Sequence, residues 1–427
     1  MLGGNPEHDA TVAGSSCQAL DRFGHGADGG SDLTSGVHRP HSVDFQLTMR
    51  RPALRSLLLS ALLVAPPSLA AAQSLPRWTL APELRITEQA DIAWTRISFV
   101  APTPDGSVVI AESFPPMVLR FDASGTLRHR VGRQGGGPGE YQSVGQIGFV
   151  NDTLFVADYQ QRRVVFFDAA GRGAGMLSGF TGVPIGDGGS AFPGTPLRGD
   201  RALSIAMLIS RDVATGEVPT RPHLLLSRSG RLLDTIAVTS LGNSQLMLRM
   251  GTSVSLTSQP FNDSPFFIAA PAAERGYVVD RSAATAARGA TFSVTALRFT
   301  GDTIWTRRYP YEPVPLTRSA VDSTIDRMRP TIRGTRVPEA TVREALYAPA
   351  FRPPISAAFA AADGTLWLRR SDRAQHQYLV HDPGGTAIAT LNVPSNTQLH
   401  AVVGDQVWGV ELDADDVPTV VRYRIRR

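Results

Sequence analysis

Two stretches of this chain repeat at a fixed spacing, and that spacing restricts the fold more than any other feature. Asp105 to Gly125 reads DGSVVIAESFPPMVLRFDASG, and Asn151 to Gly171 reads NDTLFVADYQQRRVVFFDAAG. Ala111 aligns with Ala157, Glu112 with Asp158, Phe121-Asp122 with Phe167-Asp168 and Gly125 with Gly171, each pair 46 positions apart. Within one unit, Asp105-Gly106 makes a polar turn ahead of the β-rich run Val108 to Ala111. A second run ends in the aromatic Phe121, and Ala123 to Gly125 turns into an outer strand. A period of roughly 40–50 residues built from short strands and turns marks sheets arranged radially as propeller blades. Middle strands covered on both faces read as short continuous apolar runs, as they do here.

Weaker copies follow at His223 to Gly230, Leu297 to Asp302, Asp363 to Leu368 with Asp382 to Gly385, and Gly404 to Glu411 with Val420 to Tyr423. The units run over about 94–131, 143–180, 185–240, 262–312, 351–393 and 398–427. The last unit stops after its third strand, and Trp78 to Thr87 has the composition to supply the fourth. Closure of that kind removes exposed sheet edges. The expected fold is therefore all-β, a six-bladed β-propeller over 73–427 with a short helical insertion between blades four and five. Four blades plus a separate domain is the competing arrangement. The 40 Gly and 31 Pro fit many turns and few long helices.

Gly132 to Tyr141 reads GRQGGGPGEY and is followed by Leu154 to Asp158 and Arg162 to Gly171. This stretch resembles an NHL-type repeat and the secreted bacterial six-bladed β-propeller proteins related to it. The likeness is strong over 105–171, partial at 355–385 and weak elsewhere. It implies a propeller fold. It leaves activity open, because NHL-type propellers include protein binders, RNA binders and an amidating lyase. The Gly135 to Gly139 loop is expected to join two blades, with Glu140 and Tyr141 pinning it, rather than to cradle a phosphate.

Arg50, Arg51 and Arg55 precede SLLLSALLVA at Ser56 to Ala65, and Ala70-Ala71-Ala72 lies just before Gln73. This is the order of a secretory signal peptide, with cleavage expected before Gln73. The apolar run is too short to span a bilayer, which takes roughly 20 residues. Met49 then reads as the start, and 1–48 as upstream translation without order. The protein is expected in the periplasm or outside the cell, with no membrane span. From Gln73 onward 37 Arg face 32 acids, too mild an excess to argue for nucleic acid.

Composition excludes several chemistries. The 42 basic residues are all Arg, so no P-loop lysine, lysine Schiff base or kinase-type strand lysine exists. Cys17 is the single cysteine, which rules out an internal disulfide or a Cys-rich zinc site. No HExxH and no G-x-S-x-G occurs. Glu112, Asp158, Asp280 and Glu411 recur where second strands end, with Arg370 in the corresponding place of unit five. Such carboxylates hold Ca²⁺ or accept hydrogen bonds from the turn that follows. Their recurrence in unit after unit favours the structural role. Ca²⁺ is the one cofactor they leave open. Five histidines follow Gln73. His376 and His381 are candidate ligands, and His400 sits on an expected inner strand.

The span 317–350 departs from the repeat. Val321, Ile325 and Met328 fall at helical spacing behind Thr317 and Ser319, either of which can cap, and Pro338 opens a second helix through Val342 and Leu346. The insert is expected to cap one end of the channel and to be removable without unfolding the blades. Arg318, Arg327, Arg329, Arg333 and Arg336 would give it a basic face for an acidic ligand. The leading functional reading is a monomeric binding module that takes a protein or carbohydrate on one face or in the channel. The alternative is a channel-site hydrolase or lyase of the lactonase or amidating-lyase type.

Overall fold

A computed structural model describes residues 75–427 apart from 89–91, 181, 186–188, 208–218, 251–252, 333–334 and 372–375. The stretch 1–48, the signal at 49–72 with its cleavage point before Gln73, and Arg333 of the insert lie outside the described residues.

The chain is a succession of up-and-down sheets. β1 (Arg77–Ile86) comes first. A four-stranded sheet follows, made of β2 (Ile97–Pro102), β3 (Val108–Ser113), β4 (Pro116–Phe121) and β5 (Leu127–Arg130). Short β6 (Arg133–Gln134) and β7 (Glu140–Tyr141) pair inside the glycine loop. β8 (Gln146–Val150), β9 (Thr153–Asp158), β10 (Arg163–Phe167) and β11 (Gly173–Leu177) make the next four-stranded sheet. A five-stranded sheet holds β12 (Val183–Ile185), β13 (Gly189–Pro196), β14 (Ala202–Met207), β15 (Thr220–Leu226) and β16 (Leu232–Ser240). A separate hairpin, β17 (Gln245–Met250) with β18 (Ser253–Ser258), precedes the four strands β19 (Phe266–Ala270), β20 (Arg275–Asp280), β21 (Thr291–Arg298) and β22 (Thr303–Pro310). The insert contains α1 (Arg318–Met328), the pair β23 (Thr331–Ile332) and β24 (Thr335–Arg336), and α2 (Glu339–Ala345). β25 (Ile355–Ala360), β26 (Leu366–Arg370), β27 (His376–His381), β28 (Ala387–Val393), β29 (Thr397–Val403), β30 (Gln406–Leu412) and β31 (Pro418–Arg426) join β1 in one eight-stranded sheet.

Successive sheets approach one another through first strands, or through β13 in the five-stranded sheet: β2 meets β8 and β29, β8 meets β13, and β25 meets β19 and β29. They therefore surround an axis, and the arrangement is that of an all-β propeller. The ring closes through the amino-terminal strand. β1 runs antiparallel to β31 from Thr79↔Arg426 to Ile86↔Val420, and parallel to β28 only at Arg77↔Thr390 and Trp78↔Leu391.

The repeated Phe-Asp-x-x-Gly has a local cause. Asp122 Oδ1 accepts from the backbone N–H of Ser124 and Thr126, both at 2.9 Å, and Asp168 Oδ1 does the same for Ala170 and Arg172. The glycine N–H then donates to the aspartate carbonyl, and Gly125 and Gly171 take φ of 84° and 76°, which side chains with a Cβ rarely adopt. The preceding aromatic points between sheets. Phe121 packs with Trp94, Ile110, Trp408 and Val420, and Phe167 with Tyr141, Val109 and Val156. The core is thus a series of layers between neighbouring sheets.

The insert differs from expectation. Its apolar stripe does not cap the channel. Ile325 and Val342 are fully buried against Leu246 and Leu248 of β17, with Phe261, Val337 and Leu346 around them. Gln259 ties the two pieces: its Nε2 donates to the Ala345 carbonyl at 2.9 Å, and its Oε1 accepts from Tyr347 N–H at 3.0 Å. Removing 317–350 alone would uncover two leucines that are 0% exposed, so the insert and the hairpin are one unit. We expect Ile325→Ala to cost this unit about 2–5 kcal/mol. Hydrogen exchange is the measurement. Amides of 245–258 and 318–346 should lose protection while those of β3, β9 and β30 keep theirs; unchanged protection in the hairpin would show that the two pieces fold separately.

Candidate functional site

The second strands β3, β9, β20, β26 and β30 all end on the face where the first strands begin, which places Glu112, Asp158, Asp280, Arg370 and Glu411 on one side of the ring. Their side chains are not equivalent. Glu112 is fully buried, and its Oε1 accepts from Thr95 N–H at 2.6 Å and Arg96 N–H at 2.7 Å, while Oε2 has no partner among the described residues. Burial raises its pKa in spite of those two bonds. Asp158, also fully buried, accepts from Gln142 and Ser143 N–H at 3.0 and 3.1 Å and pairs with buried Arg163 at 3.3 Å. These two carboxylates thus hold the segment leading into their own sheet's first strand, more than the turn that follows them. Asp280 accepts from Ser282 Oγ at 2.9 Å. Glu411 is gripped by both Nη atoms of Arg85 at 2.7 and 3.1 Å and by the Tyr423 hydroxyl. Asp158, Asp280 and Glu411 are thus engaged by the fold, and Glu112 is engaged through one of its two oxygens. Among the described residues no three His, Cys, Asp or Glu side chains converge to hold a metal ion.

The same face carries a cavity of about 270 Å³. Its walls come from three places in the chain: Thr95, Arg96 and Ile97 entering β2; Arg369 and His376 across the β26–β27 turn; and Ser395 to Gln398, His400, Val410, Leu412, Asp416 and Pro418 along β29 to β31. His400 is half-buried there, and its surroundings lower its pKa to about 4, so it is a neutral donor and acceptor at neutral pH. His376 Nδ1 lies 2.9 Å from the Thr397 carbonyl. Arg369 is 4% exposed, and its Nε donates to Ser356 Oγ at 2.9 Å. Arg369, Arg96, Asn396 and Gln398 escaped sequence reasoning. The one visible signal was an arginine directly after the buried run Leu366-Trp367-Leu368. A smaller cavity of about 170 Å³ lies between β8, β14, β15 and β19, where His223 stacks on Phe267 with centroids 4.4 Å apart.

His376 and His381 do not share a site. They bracket β27, five residues apart, so they face opposite sides of the sheet about 16 Å from each other. His381 is fully buried edge-on to Tyr309, 4.6 Å between centroids. The insert's arginines serve its own carbonyls. Arg329 Nε donates to Val337 O at 3.1 Å, Arg336 Nη2 to Asp326 O at 3.1 Å and Arg327 Nε to Ser323 O at 3.3 Å, while Arg318 is exposed. Cations there complement the carboxyl end of α1. In the glycine loop, Glu140 Oε2 accepts from Gly137 N–H at 2.7 Å, and Arg163 Nη1 donates to the Gly136 carbonyl at 2.9 Å. The loop's own carboxylate takes the place where a phosphate would be cradled.

Asp158→Ala leaves Arg163 buried without its counter-charge and should cost about 3–5 kcal/mol. Glu112→Gln keeps an acceptor for Thr95 and Arg96, removes a disfavoured charge and should stay within about 1 kcal/mol at pH 7; denaturant midpoints of the two variants decide. Buried His381, like the partly buried His223 and His400, titrates near 4 in the fold instead of near 6.5, because desolvation disfavours the cation. The unfolded chain binds more protons between those values, so stability should fall as pH drops from about 6.5 to about 4. His381→Phe should flatten that slope in urea titrations, and an unchanged slope would remove His381 from this account.

No family model matches the chain, and no curated protein matches it. Solved structures do. A DUF4221-family member from Bacteroides vulgatus is 10% identical, with 82% of this chain and 99% of that one covered at a TM-score of 0.44. The calcium-binding protein regucalcin from Agrobacterium tumefaciens is 13% identical, with 82% and 96% covered at 0.37. Virginiamycin B lyase from Staphylococcus aureus is 10% identical, with 81% and 99% covered at 0.37. At this level of likeness no ligand, reaction or partner passes from any of them to this chain.

Proposed function

We propose that this chain is an exported β-propeller of six blades, related to the NHL-type repeat proteins, that works as a binding module through the face where its first strands begin. The count of six is supported by how the eight-stranded sheet is joined. Two parallel pairs at Arg77 and Trp78 connect β1 to β28, whereas β1 follows β31 over seven antiparallel pairs. Divided there, the sheet yields two four-stranded meanders like the others. Export is supported by the order of charge, apolar run and small residues over 49–72. Among the described residues no helix is long and apolar enough to cross a membrane.

The observation that carries the binding reading is the 270 Å³ cavity. It is concave, it mixes apolar walls with a few converging polar groups, and three distant chain segments build it, as in small-ligand sites. Asp158 and Glu411, two of the carboxylates that a channel metal would use, are engaged in holding the blades.

Two experiments test this. Gln398→Trp fills the cavity. A thermal-shift screen of small polar compounds and short oligosaccharides is expected to give ligands that stabilise the native chain and not this variant. Ligands indifferent to the variant would place recognition elsewhere, and turnover of a ligand would make the protein a channel-site hydrolase or lyase. For export, N-terminal sequencing of the secreted protein should read from Gln73; an intact 49–72 segment would overturn it.

A further inference from the structure

Among the described residues, buried guanidinium groups are answered by the chain itself, with one exception. Arg163 has Asp158 and three loop carbonyls. Arg281 donates to the carbonyls of Ser264 and Ile355, both at 3.0 Å, and lies 4.9 Å above the Phe266 ring. Arg369 is buried to the same degree, yet a single hydroxyl, that of Ser356, answers it. Its Nη1 has no hydrogen-bond partner, and no carboxylate pairs with it, among the described residues. Arg369 also forms part of the cavity wall. A buried cation without a counter-charge is among the costliest arrangements a fold can keep.

We propose that the cavity binds a small monocarboxylate, with the Arg369 guanidinium as its counter-charge. This deepens the binding-module reading and rests on it. Carboxylate geometry matches the planar fork of arginine. The charge count selects a monoanion: among the described residues Arg96 and Arg369 are the cations of the lining and Asp416 its carboxylate, which leaves one positive charge to be answered. A second negative charge on the ligand would meet Asp416. Gln398 and His400 supply hydrogen bonds for a hydroxyl or carbonyl beside the carboxylate. At about 270 Å³ the space lies just below the usual ligand-pocket range of roughly 300–1,000 Å³, so the occupant is small.

The test uses the mature chain and a panel of acetate, lactate, pyruvate and benzoate, with their neutral amides and inorganic phosphate beside them. At least one carboxylate should raise the unfolding temperature in a saturable way and its amide should not. This comparison needs no variant. Arg369→Gln should weaken that binding on the order of 10- to 100-fold, and Arg369→Lys should retain part of it. Equal binding of acid and amide, tighter binding of phosphate, or unchanged binding by Arg369→Gln overturns the proposal. If no carboxylate of the panel binds, the proposal fails. If neutral compounds alone bind, and Gln398→Trp blocks them, the binding-module reading stands while the carboxylate assignment falls. If no compound responds to Gln398→Trp, the underlying reading fails as well.

Discussion

The pairing of β1 with β31 is the constraint on which the rest of the ring depends. A radial array of sheets buries its core between neighbours, so no sheet is stable by itself and the first and last must be locked together. Here the lock is a run of backbone bonds, flanked by Arg85 on Glu411 and Arg422 and Arg424 on Glu83. It brings residues more than 300 positions apart into contact. The cavity exists because of it: its walls combine the segment entering β2 with the last three strands of the chain.

Repetition divides the polar residues of the strand-start face into two sets. Those that recur, Glu112 and Asp158 above all, organise the approach to the first strand and are saturated or sealed by backbone N–H groups. Those that do not recur, such as Arg369, His376 and His400, line the cavity. A device copied from sheet to sheet solves a problem each sheet has. A residue present once, buried and incompletely satisfied, answers to something outside the repeat.

The hairpin and insert show a related division. β17–β18 lies between β16 and β19, the helices lie between β22 and β25, and neither has a core alone. Each supplies half of an apolar layer, which is why one without the other leaves leucine or isoleucine in water. Gln259 and Tyr347, with Asp263 accepting from the tyrosine hydroxyl at 2.9 Å, anchor the pair beside the ring.

By itself the sequence determined what is local. The 46-residue period, the aspartate-glycine turns, the aromatic that precedes them and the closing role of Trp78 to Thr87 follow from backbone chemistry within a few residues and from the need to cover a sheet on both faces. It also excluded lysine chemistry, an internal disulfide and a Cys-rich zinc site outright. The tertiary structure alone decided which polar groups meet. Asp158 and Glu112 look alike in the repeat, yet the first has a neighbouring arginine and the second an oxygen without a partner among the described residues. Arg369 and Arg370 are adjacent in the chain, but the side-chain period of two puts them on opposite faces of β26, and Arg369 is the one that reaches the cavity. Whether a buried charge finds a partner depends on side chains brought from distant sheets by ring closure, and no local pattern encodes that meeting.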